Sequence, residues 1–259
     1  MSTRTIVFVH GMFMTPQCWT GWLARFAQKG YRCHAPAWPG RDRAVPELRA
    51  AHPDPALGRL DLTQVVEHQL RFIASLDEKP IVIGHSMGGL VAQILLNRDA
   101  VAAAVAIDPA PPAGVFTMKW SFIRSNWPMI NPFVSGSTPR AMSFADFQYA
   151  FANTLPLALQ RKAFDDLVVP ESRRVPRESL RAIGRIDFAK SHAPLLITAG
   201  ERDHIIPPSL NHSNFARYAK NGSMTDFKEF PGRDHFGIGA PGWEEMADFI
   251  DDWLARALP

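Results

Sequence analysis

A serine between two glycines is the strongest chemical signal in the chain. The segment Gly84-His85-Ser86-Met87-Gly88 follows a short β-branched apolar run and precedes a helical pattern. A serine at a sharp strand-to-helix turn is lifted above the sheet, and the glycines avoid Cβ collisions in the crowded backbone. The amide of Met87 opens a helix, where unpaired N–H groups favour a developing oxyanion. This serine is suited to covalent catalysis, although a Gly-Ser turn also occurs as ordinary helix capping.

Covalent catalysis by serine needs a base, and the chain offers one well-placed histidine. In parallel sheets, reacting groups gather just beyond the carboxyl ends of the strands. His235 follows the last predicted strand in a glycine-containing loop, so it is predicted to be the base that activates Ser86. His10 and His85 also end predicted strands. His10 precedes a tight loop, and the turn directs the side chain of His85 away from the serine, so both are interpreted as structural.

Several carboxylates compete for the role of the acid that orients the histidine. Asp203 comes just after a predicted strand, and it is the predicted acid. Asp108 also ends a strand and remains a rival, although the proline after it suits a structural turn. Glu201 and Asp234 are weaker alternatives. With Asp203 as the acid, the order along the chain is serine, acid, histidine, which differs from that of other serine-triad folds.

The loop after the first predicted strand, His10-Gly11-Met12, supplies a second donor for an oxyanion. Gly11 permits close approach of the backbone, so the amide of Met12 is predicted to act together with that of Met87. Each amide fixed before the reaction contributes roughly 10²–10³ in rate. Aromatic side chains in the loops and in the middle of the chain predict an apolar substrate pocket, with the candidates Phe13, Trp38, Trp120, Trp127, Phe147 and Phe236.

The elements that must position these residues alternate between strands and helices. Apolar, β-branched runs predict strands buried on both faces of a parallel sheet. Their alternation with helices predicts an α/β fold with a mostly parallel sheet of about six strands. The predicted strands are Thr5–Val9, Tyr31–Pro36, Ile81–Ile83, Val101–Ile107, Leu195–Gly200 and Met224–Phe230. Residues 43–60 are predicted to be irregular, and the main predicted helices are Trp19–Lys29, Leu62–Leu76, Leu90–Leu96 and Trp243–Leu258.

One long segment breaks this alternation. Residues 113–185 are too long for a single crossover and are rich in aromatic side chains, which predicts a helical cap inserted over the sheet. Residues 1–112 and 186–259 then form the core of one large domain. Most aromatic residues of the cap are expected to form its own interior, and a few are expected to face a pocket.

The composition excludes several classes of function. The 259 residues are 46% hydrophobic and 20% charged, values typical of a soluble globular protein, and the formal charge is only +3. The absence of a Lys/Arg run argues against nucleic-acid binding. No apolar run approaches membrane-spanning length, and the first strand begins too early for a signal peptide, which predicts a cytoplasmic protein with no membrane partner. Cys18 and Cys33 lack metal-ligand spacing and are expected to be reduced, buried thiols.

These motifs resemble those of the α/β-hydrolase superfamily in its single-domain form with a lid. Four segments carry the resemblance and span nearly the whole chain apart from the cap: His10-Gly11, Gly84–Gly89, Gly200–Asp203 and Gly232–His235. Family members often have two antiparallel strands before the His-Gly strand, whereas this chain starts at that strand. The resemblance therefore implies a shortened sheet and leaves the catalytic end unchanged.

The resemblance and the residues together predict an enzyme that needs neither a metal nor an organic cofactor. The first hypothesis is hydrolysis of small to medium apolar esters or lactones through an acyl-enzyme on Ser86. A serine in place of aspartate argues against the epoxide-hydrolase and haloalkane-dehalogenase branches. Cofactor-free haloperoxidase or perhydrolase, hydroxynitrile-lyase and C–C hydrolase chemistry use the same triad and remain alternatives, as does a non-catalytic ligand sensor. Activity is expected to fall on the acid side of neutrality as His235 becomes protonated.

Overall fold

The computed structural model describes residues 3–218 and 222–258, and its centre is a parallel sheet. Within these residues the sheet has six strands in the order β2-β1-β3-β4-β5-β6, and all neighbouring pairs are parallel. The predicted α/β fold and strand number are therefore confirmed. The strands are β1 (Thr5–Val9), β2 (Arg32–His34), β3 (Ile81–His85), β4 (Ala103–Ile107), β5 (Leu195–Gly200) and β6 (Thr225–Phe230).

Helices cover both faces of this sheet. None of those within the described ranges combines the length and the apolar character that crossing a membrane requires. Short 3₁₀ turns lie at Pro16–Trp19 and Ala182–Gly184. The α-helices are α1 (Thr20–Gln28), α2 (Val45–Ala50), α3 (Pro55–Arg59), α4 (Leu62–Ala74), α5 (Met87–Asn97), α6 (Trp120–Ile130), α7 (Phe144–Ala150), α8 (Leu157–Leu167), α9 (Arg174–Glu178), α10 (Pro208–Tyr218) and α11 (Trp243–Ala257).

The two layers of the core follow from the pleat of the strands. Successive side chains of a strand point to opposite faces. In β1, Ile6 and Phe8 pack with α1 and α11, whereas Val7 and Val9 pack with α4 and α5. Strands β1, β3, β4 and β5 are buried along their whole length, as their continuous apolar runs predict. The sheet is therefore a rigid base for whatever stands at its carboxyl edge.

Two segments differ from the prediction. Residues 43–60, predicted to be irregular, contain the short helices α2 and α3. Each has a proline in its first turn, where the missing N–H would have no intrahelical acceptor, so these prolines begin helices rather than prevent them. Asp54 caps α3 by accepting a hydrogen bond from the amide of Ala56. Strand β2 is shorter than predicted because only Arg32–His34 pairs with β1 at the edge of the sheet.

The chain between β4 and β5 packs over the loop that follows β1. It contains α6, α7, α8 and α9. An apolar cluster joins Phe13 and Met14 of the β1 loop to Phe147 and Phe151 of this segment. The sequence predicts a helical insertion here, and its limits at residues 113 and 185 remain a prediction.

Candidate active site

Ser86 occupies the turn between β3 and α5 in a strained backbone conformation. Its φ is 57° and its ψ is −120°, a region that residues with a side chain seldom adopt. A Cβ on Gly84 would lie 2.0 Å from the carbonyl oxygen of Gly88, and one on Gly88 would lie 2.1 Å from that of Val9. Only glycines fit at these two positions, because rigid backbone occupies the space. The glycine spacing around the serine is therefore a steric requirement of this turn.

The structure brings the three residues of the predicted triad together. His235 Nε2 lies 2.9 Å from Ser86 Oγ, and His235 Nδ1 lies 2.6 Å from Asp203 Oδ2. All three side chains are buried. Ser86 follows β3, Asp203 follows β5 and His235 follows β6, so three parallel strands deliver the three groups to one edge of the sheet. This arrangement allows a proton to pass from the serine to the imidazole.

Backbone amides fix the carboxylate of Asp203 in the loop after β5. Its Oδ1 accepts hydrogen bonds from the amides of Ile205 and Ile206, at 2.7 and 2.8 Å. Its Oδ2 is then left to accept from the imidazole of His235. Burial raises the pKa of this carboxyl group well above its ordinary value, and the two amides oppose that rise.

The rival carboxylates are occupied elsewhere. Asp108 Oδ1 accepts a hydrogen bond of 2.6 Å from the amide of Gly200, which ties the end of β4 to the end of β5. Asp234 Oδ2 accepts from both the amide and the hydroxyl of Thr154, at 2.9 and 2.7 Å. Glu201 accepts from the amide of Gly232 in the neighbouring loop. The geometry therefore favours Asp203 as the partner of the imidazole.

The two other histidines at strand ends make backbone contacts. His10 Nδ1 donates to the carbonyl oxygen of Gly11 at 2.8 Å, and its Nε2 accepts from the amide of Trp38 at 3.3 Å. His85 Nε2 donates to the carbonyl oxygen of His235 at 2.8 Å. Burial lowers the pKa of His10 to about 3 and that of His85 well below its usual value, so both rings are neutral. Each holds a loop that carries part of the site.

Among the residues described, one group of three side chains has ligand atoms close enough to hold a metal ion. His85, Asp108 and His235 each offer an atom within 4.8 Å of the other two. Both ring nitrogens of His235 are engaged by Ser86 and Asp203, however. A cation here and the intact Ser86–His235–Asp203 chain would exclude each other.

The predicted oxyanion loop is held by Glu171 and Val169, and the sequence prediction included neither residue. Glu171 Oε2 accepts a hydrogen bond of 3.0 Å from the amide of Phe13, and the amide of Val169 donates to the carbonyl oxygen of Phe13 at 2.9 Å. Glu171 also forms a buried ion pair of 2.7 Å with Arg41. These contacts fix Phe13 at a φ of 63°, next to Met12. No sequence signal indicated the pair, because its partners are 130 positions apart in two segments without a motif.

A cavity of about 150 Å³ opens above Ser86. Met12 and Met87, the predicted oxyanion residues, line it together with the serine. The amide of Met87 is the first of α5, where helix geometry leaves N–H groups without an intrahelical acceptor. The remaining wall is mainly apolar and includes Phe116, Phe122, Met129, Met142, Phe151 and Leu180. Its polar side chains donate hydrogen bonds to backbone carbonyls, as Ser125 does to His204 and Asn126 to Phe122.

The sequence matches the model of a known family along almost its whole length. A model of the alpha/beta hydrolase family matches residues 6–251. The chain belongs to this family. That membership agrees with the strand order, with the turn at Ser86 and with the resemblance noted from the motifs. No curated protein matches this alpha/beta hydrolase by sequence.

Solved structures share the fold at low sequence identity. A monoacylglycerol lipase from Paleococcus ferrophilus has a TM-score of 0.71 at 21% identity, with 99% of this chain and 96% of that chain covered. Methylketone synthase I from tomato, complexed with 2-tridecanone, has a TM-score of 0.70 at 15% identity, with 99% and 100% covered. A pyrethroid hydrolase from Sphingobium faniae JZ-2 has a TM-score of 0.68 at 18% identity, with 99% and 98% covered. At these identities the likeness establishes the fold alone.

Of the six aromatic residues predicted to line the pocket, the structure places only Phe13 in the cavity wall. Trp38 is buried outside the wall and stacks on His10 with ring centroids 4.6 Å apart. Phe147 lies behind the wall residue Phe151, with centroids 5.5 Å apart. The remaining three are likewise outside the wall, since Phe236 packs against Phe147 whereas Trp120 and Trp127 are exposed on α6. Which face of each helix between β4 and β5 is turned to the sheet decides the lining, and aromatic content does not reveal it.

The pKa of His235 predicts where activity is lost in acid. Burial lowers this pKa to about 3, against an ordinary value of 6.5. The base must be neutral, so activity is expected to persist as the pH falls through 6.5 and to be lost only as the pH approaches the lowered pKa. The acid limb therefore lies lower than the sequence alone suggests. A profile of kcat/KM for a short nitrophenyl ester against pH measures its midpoint.

Unfolding in acid must be separated from this titration. His10, His85 and His235 are neutral when folded and take up protons when unfolded, so the free energy of unfolding is expected to fall below pH 6.5. Circular dichroism at each assay pH, and recovery of activity after return to pH 7.5, distinguish the two effects. A fully reversible acid limb with its midpoint at or above pH 6.5 contradicts the expectation.

Proposed function

We propose that this alpha/beta hydrolase cleaves carboxylic esters of small to medium apolar substrates, lactones included, through an acyl-enzyme on Ser86. The observation that carries the proposal is the continuous chain of hydrogen bonds from Ser86 through His235 to Asp203 at the floor of an apolar cavity. A nucleophile, a base and an orienting acid are the parts that two-step acyl transfer requires. The family membership of the chain agrees with hydrolytic chemistry.

The first half of the reaction forms the acyl-enzyme. Ser86 Oγ bonds to the carbonyl carbon of the ester while its proton passes to His235 Nε2. The carbonyl oxygen becomes an oxyanion, which the amides of Met12 and Met87 stabilise by hydrogen bonds. The tetrahedral intermediate then collapses as its bond to the alkoxy group breaks, and His235 gives the proton to that leaving oxygen. Asp203 accepts from His235 Nδ1 throughout and stabilises the imidazolium.

The second half releases the acid. A water molecule takes the place of the alcohol, and His235 Nε2 accepts one of its protons as its oxygen bonds to the acyl carbon. The same two amides stabilise the second oxyanion. Collapse of this intermediate breaks the bond to Ser86 Oγ, and His235 returns the proton to the serine. Over the two halves, one ester and one water molecule give one acid and one alcohol, and the enzyme returns to its starting state.

The cavity supports the choice of apolar substrates. Its volume of about 150 Å³ admits a short acyl or alkyl group, and its wall is lined mainly by Phe, Met, Leu and Ile side chains. Proteins of the same fold are named as a monoacylglycerol lipase and a pyrethroid hydrolase, and another was crystallised with 2-tridecanone. These molecules are uncharged and largely apolar, in keeping with the lining.

The proposal is tested by labelling with a fluorophosphonate. We expect one covalent adduct per chain, located on the peptide that contains Ser86 by mass spectrometry, with loss of esterase activity in proportion to labelling. The acid-unfolded protein is the control, since its serine lacks the folded base and should stay unlabelled. Tight binding of a small ester without labelling or turnover would overturn the proposal and indicate a ligand-binding protein. Turnover should decline once the acyl chain exceeds the cavity length.

A further inference from the structure

Exposed apolar side chains stand at the mouth of the active-site cavity. Phe116 and Leu180 both line the cavity, yet they are 77% and 62% exposed. A side chain that is part of an apolar cavity and also faces solvent marks the place where the cavity opens. Single exposed apolar residues are common on protein surfaces, but a contiguous group at a mouth is informative.

The two segments that carry these residues are neighbours and contain further exposed apolar side chains. The amide of Ala113 donates to the carbonyl oxygen of Gly184 at 2.8 Å, which joins the start of one segment to the end of the other. Met118 is 78% exposed and Trp120 is 71% exposed. Trp127, two turns after Trp120 on the same side of α6, is also exposed. We call these residues the rim: Phe116, Met118, Trp120, Trp127 and Leu180.

The two segments that carry the rim contain more cationic than acidic residues. Residues 109–145 contain no aspartate or glutamate, and residues 172–186 contain five arginines and one glutamate. Lys119 lies between Met118 and Trp120, and Arg181 follows Leu180. Both of these cations are exposed, and the part of the chain that the structure describes shows no ion pair for either. In both segments, therefore, an exposed cation is the sequence neighbour of an exposed apolar residue.

This combination fits the boundary between lipid headgroups and acyl chains. Trp, Phe, Leu and Met side chains are buried in the apolar side of that boundary, while Lys and Arg reach the phosphates of anionic lipids. A protein partner would also cover apolar residues, but it gives no reason for an excess of cations at the opening of an apolar cavity. Since Phe116 and Leu180 of the rim stand at the entrance, docking would place the entrance against the lipid.

We propose that the rim docks this hydrolase onto an anionic lipid surface, so that an apolar ester enters the cavity from the lipid without crossing water. The proposal rests on the proposed function only for its second part, the passage of the ester. It departs from the sequence prediction of no membrane partner, which rested on the lack of a spanning segment. Docking at a surface needs no such segment, and the cations at the rim come from two distant parts of the chain.

The experiment measures partition of the full-length protein onto sonicated vesicles. Phosphatidylcholine vesicles are compared with vesicles containing one quarter phosphatidylglycerol, at 50 and 300 mM salt. We expect at least about tenfold stronger partition onto the anionic vesicles at low salt, and weaker partition at high salt. Equal partition onto both kinds of vesicle, or none onto either, would overturn the proposal.

Two pairs of variants locate the surface. Met118→Ser combined with Trp120→Ser is expected to weaken partition by at least about tenfold, because two apolar side chains that the lipid would bury are lost. The matched control, Leu157→Ser with Leu159→Ser, removes exposed leucines from α8, away from the rim, and should partition like the wild type. Lys119→Glu with Arg181→Glu is expected to abolish the preference for anionic lipid. Arg71→Glu with Lys79→Glu changes the net charge equally at the opposite edge of the sheet and should preserve it.

Failure of docking and failure of the proposed chemistry give different results. Met118 and Trp120 do not line the cavity. The variant with Met118→Ser and Trp120→Ser should therefore hydrolyse a water-soluble acetate ester within about twofold of the wild-type kcat/KM. Normal partition of that variant overturns docking and leaves the hydrolase proposal intact. Partition of the wild-type protein onto the vesicles without any labelling of Ser86 overturns the hydrolase proposal and leaves docking intact. If the wild type is a dimer that does not bind vesicles, and the variant with Met118→Ser and Trp120→Ser is a monomer, a second copy of the chain covers the rim. That result overturns the proposal.

Discussion

Replacing Ser86 with alanine is expected to lower kcat for short nitrophenyl esters by about 10⁶-fold, the typical cost of removing a serine nucleophile. Alanine has no atom that can bond to the carbonyl carbon, so acyl transfer through the enzyme stops. The residual rate comes from the oxyanion amides and from substrate binding alone. Substrate binding is expected to change little, because Ser86 contributes one small side chain to a mainly apolar wall. Stopped-assay kinetics, with product inhibition as a measure of affinity, test both statements.

A matched control separates this loss from a change in the cavity. Ser125→Ala removes another hydroxyl from the same wall, one that donates to the carbonyl oxygen of His204 and does not contact His235. Its kcat is expected to stay within about tenfold of the wild type, since it loses one ordinary hydrogen bond. Equal losses in the two variants, or wild-type activity in Ser86→Ala, would exclude Ser86 as the nucleophile.

The second large effect is expected at the buried ion pair between Arg41 and Glu171. Glu171→Gln keeps an oxygen acceptor for the amide of Phe13 but leaves the guanidinium of Arg41 without its counter-charge inside the protein. Breaking a buried pair from one side typically costs about 3–5 kcal/mol of unfolding free energy. Denaturant unfolding at pH 7.5 measures this cost. An exposed pair from the same segment is the control, and Asp166→Asn, which breaks the contact with Lys162, should cost less than about 1 kcal/mol.

A double-mutant cycle isolates the pair. Arg41→Met combined with Glu171→Gln removes both charges, so we expect it to be more stable than Glu171→Gln alone. Additive losses in the double variant would contradict a direct interaction. Activity adds a second measurement. Glu171→Ala also removes the acceptor for the amide of Phe13, so it should lower kcat by up to about 10²-fold, whereas Glu171→Gln should retain most of kcat when assayed below its unfolding midpoint.

This pair connects the helical insertion to the site in physical terms. Glu171 belongs to the segment between β4 and β5, and its carboxylate accepts hydrogen bonds from the amides of Phe13 and Ser172. The backbone beside Met12 is therefore held from above by the insertion as well as from below by His10, which donates to Gly11. A loop fixed on both sides can present an amide without reorganisation during the reaction. The insertion thus has a mechanical connection to the site beyond covering the cavity.

The features that sequence analysis predicted well are those set by local backbone requirements. The glycines around Ser86 are dictated by contacts within a few residues and with the neighbouring strand, so their spacing is visible in the sequence. Continuous apolar runs identify strands buried on both faces, and they gave β1, β3 and β5 to within two residues. The residues directly after such strands must lie at one edge of a parallel sheet. That rule was sufficient to predict that Asp203 and His235 lie near Ser86.

The features that sequence analysis missed depend on which surfaces face each other. Trp120 and Phe147 are both aromatic residues of the insertion, yet one is exposed to solvent and the other is buried behind the cavity wall. Composition and helical period do not determine the rotation of a short helix over a sheet. The Arg41–Glu171 pair was invisible for the same reason, since long-range ion pairs leave no local pattern.

The sequence by itself determined which segments form strands, the sharp turn at the serine and the order along the chain of the residues proposed as the triad. Those follow from sterics and hydrophobic periodicity, which act over a few residues. Only the tertiary structure decided that Asp203 rather than Asp108 meets His235, and which side chains enclose the cavity. Both Asp203 and Asp108 end adjacent parallel strands, so the local pattern treats them alike. Their roles separate only when the backbone amides of Gly200, Ile205 and Ile206 direct each carboxylate to a different partner.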